Sequence, residues 1–531
     1  MSSQAVRTAA DTKKLHSALC FIRAFPDSPK TWSLASDALE SLGSRIAELG
    51  EEQREYLADT GITASDIHYS FSFEVAVWLA RRYPGSTEID WPEFEDTGRL
   101  DELLEHILEP SETDYFDSGL ASTEDWLKIA SAHVVGTDFD WLMAQLMSRP
   151  NYNRFWASLY NAADIPLRCR LSDSKLSASA NLCAVEKVVG RTSRMQNRIA
   201  GAKKEIARPV RSIARLNREH GSGLIDVAMG SLAVRHRETL HFNYANTDEV
   251  YLAEVGRGVQ IAVTGLLPEN RYPLETTMGF LLLSNGVPIG YGGASILFRQ
   301  VNTGINIFEE YRGSEAAWLW VQVMRVFNTL TGCTRYIANP YQFGSENTEA
   351  LKSGAFWFYY RLGYRPVEVE IRQLAKREFG KLKKNTKYRT PVGALKKLAS
   401  CDMHLTLPGA RQSEFFNEDW IETSAQFATR RLAAGGGQSR VVASRRLLQS
   451  VVSLLDIKSL NEWSSDEKKW LLNLCPLIDE TEIEFWSSGE KRALVDMIHA
   501  KGSEFELDYA RQARNHSRYF STLMKSCRDH S

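Results

Sequence analysis

Two apolar runs, 278–283 and 287–295, flank Ser284-Asn285-Gly286. Asn-Gly between apolar runs is the strongest short-range signal for a β-hairpin, because the turn needs positive φ at both central residues. A lone hairpin is not stable in water, so its faces must be covered by further elements. The neighbouring sequence supplies them. Residues 249–263 alternate apolar and polar side chains around Gly256-Arg257-Gly258, which reads as a second pair of strands. Downstream come a strand at 305–310, a tight turn at Arg312-Gly313 and a long amphipathic helix. That helix places Ala316, Leu319, Val323, Val326, Phe327 and Leu330 on one face. A short strand at 335–338, a helix over about 348–362 and a last strand at 365–369 follow, and 225–240 precedes them all as a helix.

The two ends of the chain read differently. Residues 1–150 are mostly helical. Leu34, Ala38, Leu42, Ile46 and Leu49 recur at helical spacing, a helix over 71–78 stops at Pro84-Gly85, and Ser122 to Asp125 resembles a capping box. A helix at 141–147 ends by Pro150, and a strand is expected at 165–171. Residues 371–400 are basic and helical. Gly435-Gly436-Gly437 looks like a flexible link, and 440–531 is helical, with Val451, Trp470, Leu474, Leu494 and Ile498 as core candidates. The fold class expected is α+β: a central mixed β-sheet domain at 225–400 between a helical N-terminal domain, 1–186, and a helical C-terminal domain, 401–531. A basic helical linker at 187–224 joins the first two.

Composition narrows the functions. Sixty-four basic residues against sixty-six acidic ones leave a net charge of −2, so the chain is not globally basic in the manner of many nucleic-acid binders. No run approaches ~18 uninterrupted apolar residues, so no membrane span is expected. The start shows no secretory signal. Seven scattered cysteines, an odd number without a C-x-x-C pair, argue against a disulfide framework or a zinc site, and no metal ligands are assigned. A reducing cytoplasm is the expected location. His68, His106 and His133 stand alone and read as surface or hydrogen-bonded histidines. Within the linker, Arg208, Arg211, Arg215 and Arg218 recur at three and four residues, which puts them on one helix face if a helix begins at Pro209. Such a face is either a handle for RNA or another polyanion, or a solvated surface.

The order hairpin, strand, Arg-Gly turn, helix, strand, helix, strand resembles the GNAT acyltransferase superfamily, well over residues 279–369 and loosely over 225–400. One carrier of the resemblance is Ile305-Asn306-Ile307-Phe308-Glu309-Glu310-Tyr311-Arg312-Gly313-Ser314-Glu315-Ala316-Ala317. It is similar to the family's strand-to-helix turn, in which amides at a helix N-terminus hold the pyrophosphate of acetyl-CoA. The other is Asn347 to Ala350 followed by Phe358-Tyr359-Tyr360-Arg361-Leu362-Gly363-Tyr364. The resemblance implies acetyl-CoA or another acyl-CoA as cofactor, contacted by Arg312, Gly313, Ser314, Glu315, Ala316 and Asn347. It implies a small-molecule or protein amine as acceptor. Glu309 or Glu310 is the implied base, on opposite faces of their strand, and Tyr359, with Tyr360 as its rival, the implied acid.

Two departures from the family pattern shape the expectations. Glu315 stands where the family usually has glycine, and a carboxylate beside a pyrophosphate is unfavourable unless it turns away. Asn347 and Tyr359 are twelve apart where the family commonly has about seven; five extra helical residues would rotate the tyrosine by about 140°. The expected function is an N-acyltransferase using acyl-CoA. Its alternatives are a transferase of this fold that takes aminoacyl-tRNA, and a non-catalytic scaffold of this fold.

Overall fold

A computed structural model describes residues 8–149, 154–171, 176–196, 199–313, 315–410, 415–434 and 439–530. Pro150, Ser314 and Gly435-Gly436-Gly437 lie outside the described residues. The structure is mixed α+β. In the N-terminal part, helices such as α1 (Ala9–Ala24) accompany a small antiparallel sheet of β1 (Asp66–Tyr69), β2 (Thr87–Ile89) and β3 (Leu167–Arg170). The expected strand at 165–171 is β3; β1 and β2 are too short to have shown an alternating pattern. Ser122 caps its helix by accepting from the Asp125 amide.

The large sheet contains β4 (Ser212–Arg215), β5 (Ala245–Gly256), β6 (Val259–Leu266), β7 (Thr276–Ser284), β8 (Val287–Leu297), β9 (Gln300–Thr303), β10 (Asn306–Ile307), β11 (Arg335–Ala338), β12 (Arg365–Pro366) and β13 (Met403–Thr406). Its order is β12-β13-β11-β9-β8-β7-β6-β5-β4, with β10 paired to β8. The Asn-Gly hairpin is present as β7–β8, with φ of 47° at Asn285 and 78° at Gly286. Only β9 and β11 run parallel among the described strand pairs. That pairing stops at Asn302–Ile337, after which the chain of β9 bends at Gly304 and continues along β8 as β10.

Six further helices matter below: α2 (Arg218–Ala233), α3 (Leu240–Asn243), α4 (Ala316–Thr331), α5 (Thr348–Ser353), α6 (Ala355–Leu362) and α7 (Val369–Lys384). Helix α4 buries nearly its whole length against the sheet, with Trp320, Val323 and Phe327 fully enclosed. The main apolar core is continuous from Leu19 and Phe25 of the N-terminal part through the sheet strands to Leu405. A second core joins Phe298 to the C-terminal helices, and the expected core residues Val451, Trp470, Leu474, Leu494 and Ile498 are all buried. Burial of apolar surface at about 25 cal/mol per Å² drives both. Strand β13 lies past residue 400, and β4 lies inside the segment read as a linker; both belong to the sheet.

Five sequence expectations are corrected. The arginines 208, 211, 215 and 218 do not share a helix face. A short helix, Ala202–Ile206, ends before Arg208-Pro209, since the residue before proline is driven out of helical geometry. Ser212–Arg215 then pairs as an edge strand with β5, and Arg218 opens α2, capped by Asn217. The strand at 305–310 is two residues long, because Glu309–Tyr311 closes into a 3-10 turn that buries Tyr311 beside Phe25. The helix over 348–362 is two helices broken at Gly354, so the continuous rotation expected of Tyr359 does not occur. The strand at 365–369 shortens to β12, since Val369 already opens α7. Upstream, the helix read at 225–240 is α2, shifted towards the N-terminus, with α3 separate.

Candidate functional site

The Arg-Gly turn sits where β10 hands over to α4. Gly313 has φ of 85°, a left-handed conformation that side chains disfavour, and the space where its Cβ would stand is open. No side chain caps α4, so its first amides keep the free donors and positive dipole end that favour anions. Ala317, in that first turn, lines a cavity of about 570 Å³ with Ile199, Phe358 and Arg361 of α6, and Phe379 and Lys383 of α7. The walls are apolar, and two cations stand among them.

Glu315 does not face this space. It is fully buried, and its carboxylate is bonded by Arg191, by Arg257 at 2.9 Å and by the Gln196 amide at 2.8 Å. It pins residues 191–196 and the β5–β6 turn to the start of α4. The charge that would repel a phosphate is therefore turned away and neutralised. Arg191 and Glu315 are 124 positions apart, and nothing in their local sequence marks them as a pair.

The other expected site residues are dispersed. Arg312 is exposed and pairs with Glu349 at 2.9 Å. Asn347 caps α5 by accepting from the Ala350 amide at 3.0 Å. Glu309 is exposed. Glu310 is paired with Arg235 at 3.0 Å, both largely buried. Burial is the largest single influence and pushes its carboxyl up, but the Arg235 guanidinium, a backbone hydrogen bond and His16 together bring it below the usual carboxylate range. Because Glu309 and Glu310 lie in a 3-10 turn, they do not alternate across a strand as expected. Ala316 begins α4 beside the turn.

Tyr359 is buried between Trp320, Phe343 and Tyr364, and burial raises its phenol well above 10. Its hydroxyl donates to Gln342 Oε1 at 3.4 Å. The Gln342 amide fills the space where a Cβ on Gly304 would stand, so the tyrosine reaches, through one side chain, the point where β9 and β11 part. Tyr360 points elsewhere: its ring packs on Phe356 and Phe379 and lies under the Arg365 guanidinium at 4.1 Å.

Three of the four linker arginines have protein partners, and Arg211 is exposed. Arg208 pairs with Glu205, Arg218 with Asp248, and Arg215 lies 4.3 Å over the Phe505 ring. The seven cysteines are free thiols. No group of three or more His, Cys, Asp or Glu side chains is placed to hold a metal ion, and no helix is long and apolar enough to cross a membrane, both among the described residues. Compared with protein-family models, curated proteins and solved structures, the chain matches none.

Proposed function

We propose that the chain is an N-acyltransferase with a GNAT-like sheet that moves an acyl group from acyl-CoA to an amine. The observation that carries this is the cavity at the uncapped start of α4. Free backbone donors and the dipole end suit a pyrophosphate, the cations Arg361 and Lys383 suit further phosphate, and the apolar walls suit the remainder of a nucleotide-bearing donor. Glu315 poses no obstacle, since Arg191 and Arg257 neutralise it.

In the reaction, the amine nitrogen bonds to the thioester carbon and the C–S bond breaks. An ammonium acceptor gives up one proton to a base before attack. Its second proton leaves as the amide forms, and the departing sulfur takes up one. Tyr359, whose hydroxyl donates to Gln342 near the point where β9 and β11 part, is the acid assigned to the sulfur, and it carries its proton at neutral pH because burial raises its phenol. Glu310, locked to Arg235, is a poor base.

Calorimetric titration with CoA tests this. The wild type binds one equivalent, and replacing both Arg361 and Lys383 with alanine weakens binding about tenfold to a hundredfold, the worth of one or two charge-assisted contacts. No heat with the wild type, or equal affinity in the double variant, overturns the assignment.

A further inference from the structure

Helix α4 covers one face of the sheet. The opposite face is partly open along β8, where Tyr291, Gly293 and Ser295 are half-exposed while the residues between them are buried. Register places Thr277, Ser295, Asn302, Ile337 and His404 side by side on that open face. His241 of α3 lies close over it: a Cβ on Gly293 would stand 2.0 Å from the His241 ring, so only glycine leaves it room.

Three carboxylates border this row. Glu418 accepts from Asn302 Nδ2 at 2.8 Å, and Glu275 accepts from Ser295 Oγ at 2.6 Å. Asp402, next to β13, is close enough to act on Glu418 electrostatically, as are Glu275 and Asp419. None of Glu275, Asp402 and Glu418 forms a salt bridge among the described residues. The nearby cations are engaged otherwise: Arg335 with His404 and the Phe415 ring, Lys501 with Glu506 and the Glu275 carbonyl. Burial first, and the neighbouring carboxylates second, push Glu418 up to about 7; the same two causes push Asp402 up to about 6. Three carboxylates are thus gathered here with no ion pair of their own among the described residues.

A second observation points to a ligand. Thr277 and Thr264, 6% and 0% exposed, present hydroxyls on this face with no hydrogen-bond partner, and the His241 Nδ1 and His404 Nε2 atoms are likewise buried without one. Buried polar groups are normally bonded, so these atoms await a polar guest. Carboxylate acceptors beside unbonded hydroxyls and imidazoles suit an organic cation with several N–H donors.

We propose that the group of Glu275, Asp402, Glu418 and Thr277 on the sheet face opposite α4 binds the alkylammonium group of the acceptor. It rests on the acyltransferase assignment for the word acceptor, but the site is argued from its own residues. The donor and the amine then approach the sheet from opposite faces, near the point where β9 and β11 part.

Spermidine is the probe, titrated calorimetrically into the full chain. The wild type is expected to bind it, and E418Q and E275Q each to weaken it about tenfold or more, the usual loss of a charge-assisted contact, with the circular dichroism of the native fold retained. E254Q, on β5, is expected to leave binding as it is. Absence of spermidine binding, or equal weakening by E254Q, overturns the site. If spermidine binds as expected while CoA does not, the amine site stands and the acyltransferase assignment falls. If CoA binds and spermidine does not, the reverse holds.

Discussion

The two faces of the large sheet carry opposite chemistry. On the α4 face, a cavity combines a helix N-terminus, two cations and apolar walls, and the one carboxylate nearby, Glu315, is buried between two arginines. On the other face, the carboxylates Glu275, Asp402 and Glu418 lie along the open row without such partners. The contrast between Glu315 and Glu418 teaches how burial alone says little about role. Both are acids removed from water. One is paired with two arginines and serves as a clasp; the other forms no salt bridge among the described residues. A third acid, Glu249, shows the clasp in another form: it accepts from the amides of Glu506 and Leu507 at 2.8 Å each and so docks the C-terminal helices onto the sheet.

The largest expected effect concerns chemistry between the faces. Tyr359→Phe keeps the ring packed but removes the hydroxyl that reaches Gln342. Acyl transfer to an amine should fall by roughly 10²–10⁴-fold, the usual range for a positioned proton donor, with CoA affinity retained. Steady-state turnover in the variant checks it, and Tyr360→Phe, whose ring packs away from Gln342, should have little effect.

Next in size is the clasp. Glu315→Ala leaves Arg191 and Arg257 facing a buried void, and removing one partner of a buried pair costs about 3–5 kcal/mol. Urea unfolding of the variant should show a loss of that order. A loss below about 1 kcal/mol would place Glu315 among surface pairs and erase its contrast with Glu418.

The smallest effect is a slope. Glu418 and Asp402 have carboxyls raised above their ordinary values, chiefly by burial, and then by Asp402 and other acids at Glu418 and by Asp419 at Asp402. For such acids, stability is full below the unfolded-state value and is lost as pH rises through the raised one, because the folded state then bears the buried charges. The wild type should therefore lose stability between about pH 4 and 7, and E418Q should flatten that loss. Unfolding free energies measured across this range decide it.

How much of this could be read from the sequence follows from the range of the interactions. The β7–β8 hairpin rests on two adjacent residues, Asn285 and Gly286, and the strand 335–338 and helix 316–331 rest on local periodicity; all were legible. The break at Gly354 was visible as a residue but outweighed by the apolar pattern running through it. Arg208 to Arg218 kept a helical spacing that Pro209 and pairing with β5 overrode. The clasp between Arg191 and Glu315, and the gathering of Glu275, Asp402 and Glu418, join segments from 16 to 143 positions apart. No spacing rule reaches across such distances; only the sheet's register brings these side chains into one place. The turn at Arg312-Gly313 was legible because its motif is contiguous.

Hydrogen exchange with each ligand in turn tests the separation of the two faces most directly, since bound segments gain protection while the rest of the fold does not. CoA should slow exchange at 316–319, 358–362 and 379–383 and leave 275–277, 302 and 402–404 unchanged, and spermidine should do the opposite. Protection of the same segments by both ligands, or of 402–404 by CoA, would contradict a sheet that holds donor and acceptor on opposite faces.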